Sequence, residues 1–368
     1  MAVRIGLAFN LKPEAPANLA GATFDSPPTE EPPSRALRYD LDQPDLYAEW
    51  DEPATIDAVE RALRPLGKVI RLEADAEFPM RLAATKPDFV FNVAEGLYGP
   101  NREGHVPAIC EFLGVPYSAS DPLTLGLALH KGRAKEVLQH RGVPTAPFLL
   151  VRSAADARAS TLPFPVFAKP AFEGSGKGVS VKSLCQNRKQ LLAQVDYLLA
   201  TYNEPVLIEA YLPGAEFTVG ILGNGREARC LPIVALRFDE LPEGAPPIYG
   251  YEAKWIWDSP SDPLDIFQCP ARIPKKLADQ IRSASLGAYQ ALECRDWCRV
   301  DLRCDAEGTP MVVELNPLPG ILPDPRDNSC LPKAARAAGM SYDEVIRTVA
   351  DIAWRRISGR SLRKEAAA

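Results

Sequence analysis

Four polar side chains near the C-terminal end of the chain have the types and spacing of a cation site. Arg299 and Asp301 alternate along one predicted strand, and turn residues 305–310 separate it from the next. In a hairpin centred on this turn, residues that lie opposite each other have numbers with the same sum, and this register pairs Asp301 with Glu314. The same register pairs Arg299 with Asn316, so period-two alternation places all four on one face. Packed carboxylates repel each other unless a cation lies between them, and oxygen ligands suit Mg²⁺. The set therefore predicts a metal site whose arginine holds an oxyanion or phosphate; the alternative is a solvated hairpin face.

A glycine-rich segment, 174–178, follows the predicted strand 166–169. Glycines let main-chain N–H groups approach a phosphate, and the strand end fixes Lys169 as a positive charge beside it. The alternative is a plain hairpin turn. Ala171 and Gly178 exclude a Walker A loop, and the predicted return into a strand at 179–182 excludes a dinucleotide-binding fingerprint. The segment predicts a phosphate site of another kind.

Two carboxylates flank the bend between the next predicted strands. Glu209 ends one strand and Glu216 begins the following one. Such a bend offers free main-chain groups to an adenine edge, and Glu216 is placed to hold ribose hydroxyls. Considered alone, solvated surface glutamates are the commoner explanation.

Composition limits the classes of function. A net charge of −6 argues against a general nucleic-acid or anionic-membrane surface, and no apolar run approaches the ~20 residues of a membrane span. Eight cysteines without a paired CxxC framework indicate buried reduced thiols in a cytoplasmic protein, and three scattered histidines do not predict zinc. The N-terminal residues are typical of a first strand rather than a secretory signal.

The order of predicted elements divides the chain into three units. Alternating strands and helices predict an open α/β sheet over 1–120, with a proline-rich surface excursion at 11–53. Residues 121–210 and 211–368 predict two α+β units, the second containing an irregular loop at 239–268. A last helix begins with a capping box at Ser341 and Glu344 and ends at Gly359, before a tail that we expect to be frayed.

The order of these motifs resembles the ATP-grasp superfamily and, within it, the D-alanine–D-alanine ligase family, from about residue 89 to 352. The matching stretches are Cys110-Glu-Phe-Leu-Gly-Val-Pro-Tyr117, Lys169-Pro with Glu173-Gly-Ser175, Leu207-Ile-Glu209, Glu216-Phe-Thr-Val219, Tyr251-Glu-Ala-Lys254, Glu314-Leu-Asn316-Pro-Leu-Pro319-Gly320 and 329–341. The resemblance implies a three-domain ATP-grasp architecture, with an N-terminal open parallel sheet and ATP held between two α+β domains.

The resemblance also implies a role for each matched residue. The phosphates of ATP would contact Lys131, Lys169, Lys254 and the segment containing Glu173, Gly174, Ser175 and Gly176, while adenine would contact Glu209, Ala210 and Leu212, and ribose Glu216. Two Mg²⁺ ions, or Mn²⁺, would be bound by Asp301, Glu314 and Asn316. The catalytic set would be Arg299, Lys254, Ser175 and Gly320, with Arg299 and the Gly320 main chain at the oxyanion. Ser329 would contact the carboxylate of the second amino acid.

Three departures from the family pattern concern the first substrate. The N-terminal Gly-Gly-x-Ser-x-Glu signature is absent, and 8–13 stand in its place. Trp255 replaces a tyrosine whose hydroxyl links the glycine-loop serine to the missing glutamate. Glu95-Gly96 replaces the histidine of a Leu-His-Gly segment. We hypothesise that Glu95 supplies the lost carboxylate for an ammonium group; the alternative is a solvated loop carboxylate.

The expected function is ATP-dependent ligation of two amino acids through an acyl phosphate, by default two D-alanines in peptidoglycan biosynthesis. One alternative is a dipeptide or amide ligase of specialised metabolism with other substrates. Another, of a different class, is a non-catalytic nucleotide-binding regulatory module. We expect small amino-acid partners, no nucleic-acid or membrane partner, and a homodimer by resemblance alone.

Overall fold

The structure, a computed structural model, describes residues 2–13, 47–241, 247–248 and 266–366. Its first sheet is the predicted open parallel sheet, with strand order β2-β1-β3. The middle strand and β3 are apolar and buried, as expected for a parallel sheet covered on both faces. The elements of this unit are β1 (Arg4–Phe9), α1 (Pro53–Leu63), β2 (Lys68–Glu73), α2 (Phe78–Thr85), β3 (Phe89–Asn92) and α3 (His105–Phe112).

The second sheet is antiparallel, with strand order β4-β7-β5-β6. The long helix α7 covers one face with buried Leu191, Val195 and Leu198. The elements are α4 (Pro122–Leu129), α5 (Lys131–His140), β4 (Phe148–Val151), α6 (Ala154–Arg158), β5 (Val166–Pro170), β6 (Leu184–Cys185), α7 (Arg188–Tyr202) and β7 (Val206–Ala210).

The strand predicted at 179–182 is wrong. That stretch leads into a 3₁₀ helix, Val181–Ser183, and the returning strand is β6. The Oγ of Ser180 accepts the N–H of Lys182 at 3.2 Å, and the Oγ of Ser183 accepts the N–H of Ser180 at 3.2 Å. These local side-chain bonds outweigh the strand preference of the valines. The segment still returns into a strand, so it remains distinct from a dinucleotide fingerprint.

The third sheet is also antiparallel, with strand order β11-β10-β8-β12-β13 and β9 beside β8. The predicted hairpin forms its β12–β13 edge. The elements are β8 (Glu216–Leu222), β9 (Arg229–Cys230), β10 (Val234–Leu236), β11 (Phe267–Gln268), α8 (Lys275–Ala291), β12 (Trp297–Cys304), β13 (Pro310–Asn316), α9 (Cys330–Ala337), α10 (Tyr342–Ser358) and α11 (Leu362–Ala366).

Some helices pack across the predicted unit boundaries, which themselves stay a prediction. Residues of α4 and α5 share a core with the third sheet, and Val345 and Val349 of α10 share one with Ile5 and Leu7 of the first. The capping box at the start of α10 is confirmed. Up to residue 366, where the described part of the tail ends, the predicted fraying is wrong, because fully buried Leu362 anchors α11.

In the part of the chain that the structure describes, none of the helices combines the length and apolar character needed to cross a membrane.

Candidate active site

The hairpin has the predicted register. Arg299 lies opposite Asn316, and Asp301 opposite Glu314, with an irregularity in the pairing directly after Asp301. The shared face brings two carboxylates, an amide and a guanidinium together, as period-two alternation predicts.

Asp301 is the centre of a hydrogen-bond network on this face. Its Oδ1 accepts Nε of Arg299 at 3.1 Å, and its Oδ2 accepts Nδ2 of Asn316 at 3.2 Å. The Oγ1 of Thr218, on the neighbouring strand β8, donates to Oδ1 at 2.8 Å. Burial by itself would lower the pKa of Arg299, but the nearby charges of Asp301 and Glu314 raise it overall. The guanidinium is therefore a fixed positive charge at this site.

Lys131 joins the hairpin to the glycine-rich segment. It is the first residue of α5, whose N-cap His130 accepts the N–H of Arg133. The buried Nζ lies 3.4 Å from Oε2 of Glu314 and donates to the main-chain carbonyl of Glu173. A single lysine thus contacts both predicted ends of a phosphate site.

A second buried group contains Lys135, which the sequence analysis missed. Its Nζ lies 2.8 Å from Oε2 of Glu209 and donates to Oγ1 of Thr145 at 2.6 Å, and Nζ of Lys169 lies 2.7 Å from Oε1 of Glu209. Lys169 and Glu209 are diagonal neighbours on strands β5 and β7. Helical spacing could have indicated Lys135, because it follows Lys131 by four residues and so lies on the same face of the helix.

The two lysines determine the titration of Glu209. Burial would raise the pKa of Glu209, but Lys135 and Lys169 lower it to about 2. Burial lowers the pKa of Lys135, only partly opposed by Glu209, whereas the pKa of Lys169 is raised because Glu209 and Glu314 outweigh its burial. Glu209 is thus held as a carboxylate between two cations.

Acid unfolding should reveal this carboxylate. A folded pKa of about 2, below the ordinary 4.5, contributes stability that is present above pH 4.5 and lost as the pH falls towards 2. Between pH 6 and pH 3 we expect the unfolding free energy of the wild type to fall by about 2 kcal/mol more than that of Glu209→Gln. Urea titrations at each pH measure this. The exposed Glu307→Gln should keep the wild-type slope, and equal slopes for Glu209→Gln would contradict the prediction.

Glu216 is held by another residue that the sequence analysis missed. Nη1 of Arg303 lies 3.1 Å from Oε2 of Glu216, and Nη2 donates to the hydroxyl of Tyr211 at 3.1 Å. The guanidinium lies 5.2 Å from the ring centres of both Tyr211 and Phe238. Arg303 follows Asp301 by two residues on β12 and therefore lies on the same face of the strand. This alternation is the sequence feature that could have indicated Arg303. The arginine fixes Glu216 at the open edge of the bend after β7.

Gly320 and Ser329 are in direct contact. The Oγ of Ser329 donates to the carbonyl of Gly320 at 3.0 Å and accepts the N–H of Leu322 at 3.2 Å. The serine therefore braces the loop that carries Gly320. Within the glycine-rich segment, Ser175 and Gly176 have positive φ angles of 51° and 78°. Lys254 lies outside the described residues.

Three carboxylates line a cavity of about 30 Å³ next to Gly320. One is the predicted Glu95; the others, Glu49 and Asp51, lie at the end of the predicted proline-rich excursion. The interpretation of 47–51 as a surface excursion is wrong, since the Glu49 side chain is 9% exposed and Trp50 Nε1 donates to the carbonyl of Gly96 at 2.8 Å. The other residues that line the cavity include Val93, Trp297, Leu318 and Ile321.

Burial raises the pKa values of two carboxyl groups that line the cavity. It raises the pKa of Asp51 to about 7 and, with the negative charges of Glu103 and Glu49, raises the pKa of Glu95 well above its ordinary value. A cationic group in the cavity would relieve this repulsion.

Comparisons with known proteins agree with the fold. The family model for the C-terminal part of D-Ala-D-Ala ligases matches residues 137–351. The chain is 33% identical to the D-alanine–D-alanine ligase of Bordetella avium, over 70% of this chain and 75% of that protein. It is 34% identical to uncharacterized protein y4sG of Sinorhizobium fredii, over 88% of this chain and 95% of that protein.

Solved structures are similar over almost the whole chain. The D-alanine–D-alanine ligase of Bacillus anthracis complexed with ATP has a TM-score of 0.64 at 21% identity, covering 99% of both chains. Another structure of that ligase has a TM-score of 0.65 at 23% identity, again covering 99% of both. The three-domain ATP-grasp architecture expected from the sequence is therefore confirmed.

The fold and the converging lysines, arginine and carboxylates define an ATP-dependent ligase of the ATP-grasp class. Within that class, the family model and the curated relatives identify the family. The chain belongs to the D-alanine–D-alanine ligase family.

Proposed function

We propose that this enzyme joins the carboxylate of one small amino acid to the amine of another through an acyl phosphate, with D-alanine as the default for both. The observation that carries the proposal is the position of Lys131, which contacts Glu314 and the main chain of Glu173. These contacts bring the glycine-rich segment close to the hairpin that carries Arg299, which supports a phosphate site between them. The names of the curated relatives support D-alanine as substrate.

The nucleotide would lie between the second and third sheets. Lys131, Lys169 and the glycine-rich segment, with Ser175, would contact its phosphates, as would Lys254. The main chain at Ala210 and Leu212 would hold adenine beside Glu209, and Glu216, fixed by Arg303, would hold the ribose hydroxyls. In this arrangement Glu209 also keeps Lys169 charged.

The donor set of the hairpin fits Mg²⁺. Asp301, Glu314 and Asn316 present oxygen ligands on one face, the chemistry that Mg²⁺ or Mn²⁺ prefers. Bound there, two metal ions would neutralise charge on the transferring phosphoryl group. Arg299 and the main chain at Gly320 would stabilise oxyanion character at the reacting carbonyl, and Ser329 would orient the second amino acid.

The cavity supports an ammonium subsite for the first amino acid. Glu95 is the carboxylate expected there, and Asp51 adds a second. A volume of about 30 Å³ admits one group of roughly the size of a water molecule or an ammonium. The carboxylates come from segments unlike the family signature, which favours a second candidate: an amide ligase whose first substrate is not D-alanine.

Glu95→Gln should separate the subsite from the nucleotide site. Glutamine cannot take the negative charge that a bound ammonium would favour on Glu95. KM for the first substrate should therefore rise about tenfold, since a charge-assisted hydrogen bond contributes roughly 1.5–3 kcal/mol. KM for ATP should stay unchanged. Steady-state ADP release at varied substrate concentrations measures both constants, with the exposed Glu227→Gln as control. An unchanged KM for the first substrate would exclude Glu95 from the subsite.

A substrate panel with mass-spectrometric product detection tests the function itself. We expect ADP release that depends on D-alanine and a product with the mass of D-alanyl-D-alanine. Stimulation by other amino acids, with the corresponding dipeptide or amide mass, would favour the second candidate. ADP release stimulated by no member of the panel would contradict both and favour a regulatory nucleotide-binding module.

A homodimer also belongs to the proposal. Phe112 and Leu123, on the contacting helices α3 and α4, are 89% and 73% exposed. Large exposed apolar side chains of this kind support an association surface.

A further inference from the structure

A buried cluster of four charged side chains connects the glycine-rich segment to the first unit. Lys177 belongs to the segment and Glu173 directly precedes it, while Glu49 lies in the turn at 47–50 and Arg102 in the turn before α3. Nη2 of Arg102 lies 2.9 Å from Oε2 of Glu49 and 3.4 Å from Oε2 of Glu173. Nζ of Lys177 lies 2.9 Å from Oε2 of Glu49 and also pairs with Glu173. Each cation therefore contacts both anions.

The cluster is shielded from solvent. The side chains of Arg102 and Lys177 are 5% and 6% exposed, and those of the two glutamates are little more. Burial would raise the pKa of Glu49, but Arg102 and Lys177 lower it to about 2. Buried ion pairs tolerate the loss of one partner poorly, because the other charge is left unpaired. The four groups therefore hold one another in place.

The main chain of the segment rests directly on this cluster. A Cβ atom at Gly174 would collide with Oε1 of Glu49 unless that carboxylate moved, so glycine permits the close approach while the ion pairs of Glu49 stay in place. The carbonyl of Glu173, directly before Gly174, accepts Nζ of Lys131. The path of the segment is thus fixed between the first unit and the phosphate lysine.

We propose that Glu49, Arg102, Glu173 and Lys177 form a latch that holds the glycine-rich segment closed over the nucleotide, with Glu49 and Arg102 as positioning residues. The proposal rests on the nucleotide site proposed above. In this chain, Glu49 and Arg102 of the first unit hold the segment closed, although the signature glutamate at the N-terminus is absent. Glu49 also lines the cavity next to Gly320, so closure of the segment and occupancy of the cavity depend on one carboxylate.

Hydrogen exchange of the main chain at 172–180 tests the latch on the full-length protein, with and without a non-hydrolysable ATP analogue. In the nucleotide complex, Glu49→Gln and Lys177→Met should raise exchange in this segment on the order of tenfold while leaving strand β7 unchanged. The exposed Lys182→Met, in the 3₁₀ helix that follows the segment, is the matched control. Lys177→Arg, which keeps the charge, should retain most of the protection.

The double variant Glu49→Gln/Lys177→Met removes the direct pair without leaving either partner charged, so it avoids a folding defect from an unpaired group. It should also lose the segment's protection. In this variant, a larger fraction of the released ADP than in the wild type should appear without product, because an open segment admits water. Protection of 172–180 in this variant within twofold of the wild type would overturn the latch. A wild type that shows nucleotide-dependent protection but forms no product would overturn the proposed function and leave the latch standing.

Discussion

Replacing Arg299 by methionine should lower kcat about 100- to 1,000-fold, the range found when one oxyanion-stabilising donor is lost. The guanidinium is half-buried, lies 3.1 Å from Asp301, and has a raised pKa. It is therefore charged and oriented before the reaction begins. Methionine keeps much of the length and volume but has no donor. KM for ATP should change little, since Lys131 and Lys169 remain.

The split between kcat and KM is the informative measurement for this variant. ADP release and product mass at saturating substrates give kcat, and an ATP titration gives KM. Arg299→Lys should recover only part of the rate, because an ammonium cannot reproduce the fork of donors. The exposed Arg226→Met is the matched control. A kcat within threefold of the wild type would exclude Arg299 from oxyanion stabilisation.

The hairpin could be predicted because its information is local. Pairing of Asp301 with Glu314 follows from a short turn and strict alternation, two features that a sequence displays directly. Thr218, which also binds Asp301, could not be found in this way. It belongs to β8, which is separated from the hairpin by a long stretch of chain, and sequence alone does not show which distant strand is the neighbour.

Lys135 and Arg303 illustrate an intermediate case. Each follows a predicted site residue at the period of its element, four residues along a helix or two along a strand. The periodicity places them on the right face, but their partners come from elements that are distant along the chain. Only tertiary packing brings Lys135 to Glu209 and Arg303 to Phe238.

Glu49 had no usable signal in the sequence. It ends a proline-rich stretch without helical or strand periodicity, which favours a surface location. Its burial depends on Arg102 and Lys177, two cations from distant segments that offset the cost of burying a carboxylate. The sequence therefore revealed that the first-substrate region had changed, and the fold was needed to find the residues involved.

Lys135→Met should weaken ATP binding although Lys135 is 1% exposed and has no predicted contact with the nucleotide. Lys135, Lys169 and Glu209 together carry one net positive charge. Without Lys135 the remaining pair is neutral, and Glu209 holds Lys169 away from a phosphate. We expect Kd for ATP to rise about tenfold, since hydrogen bonds to charged groups contribute roughly 1.5–3 kcal/mol. The unfolding free energy should fall by about 3 kcal/mol, because a buried ion pair loses a partner.

Charge restoration separates the electrostatic effect from a packing defect. In the double variant Lys135→Met/Glu209→Gln the neutral pair is gone, and the negative charge of Glu314 still favours the protonated form of Lys169. This variant should therefore recover most of the ATP affinity lost in the single variant. Calorimetric titration with ATP measures the affinity, and urea unfolding measures the stability. Arg133→Met, an exposed residue on the same helix, should leave both unchanged. If the double variant binds ATP no better than Lys135→Met, the net charge of this triad does not control nucleotide binding, and Lys135 acts only through the packing of α5.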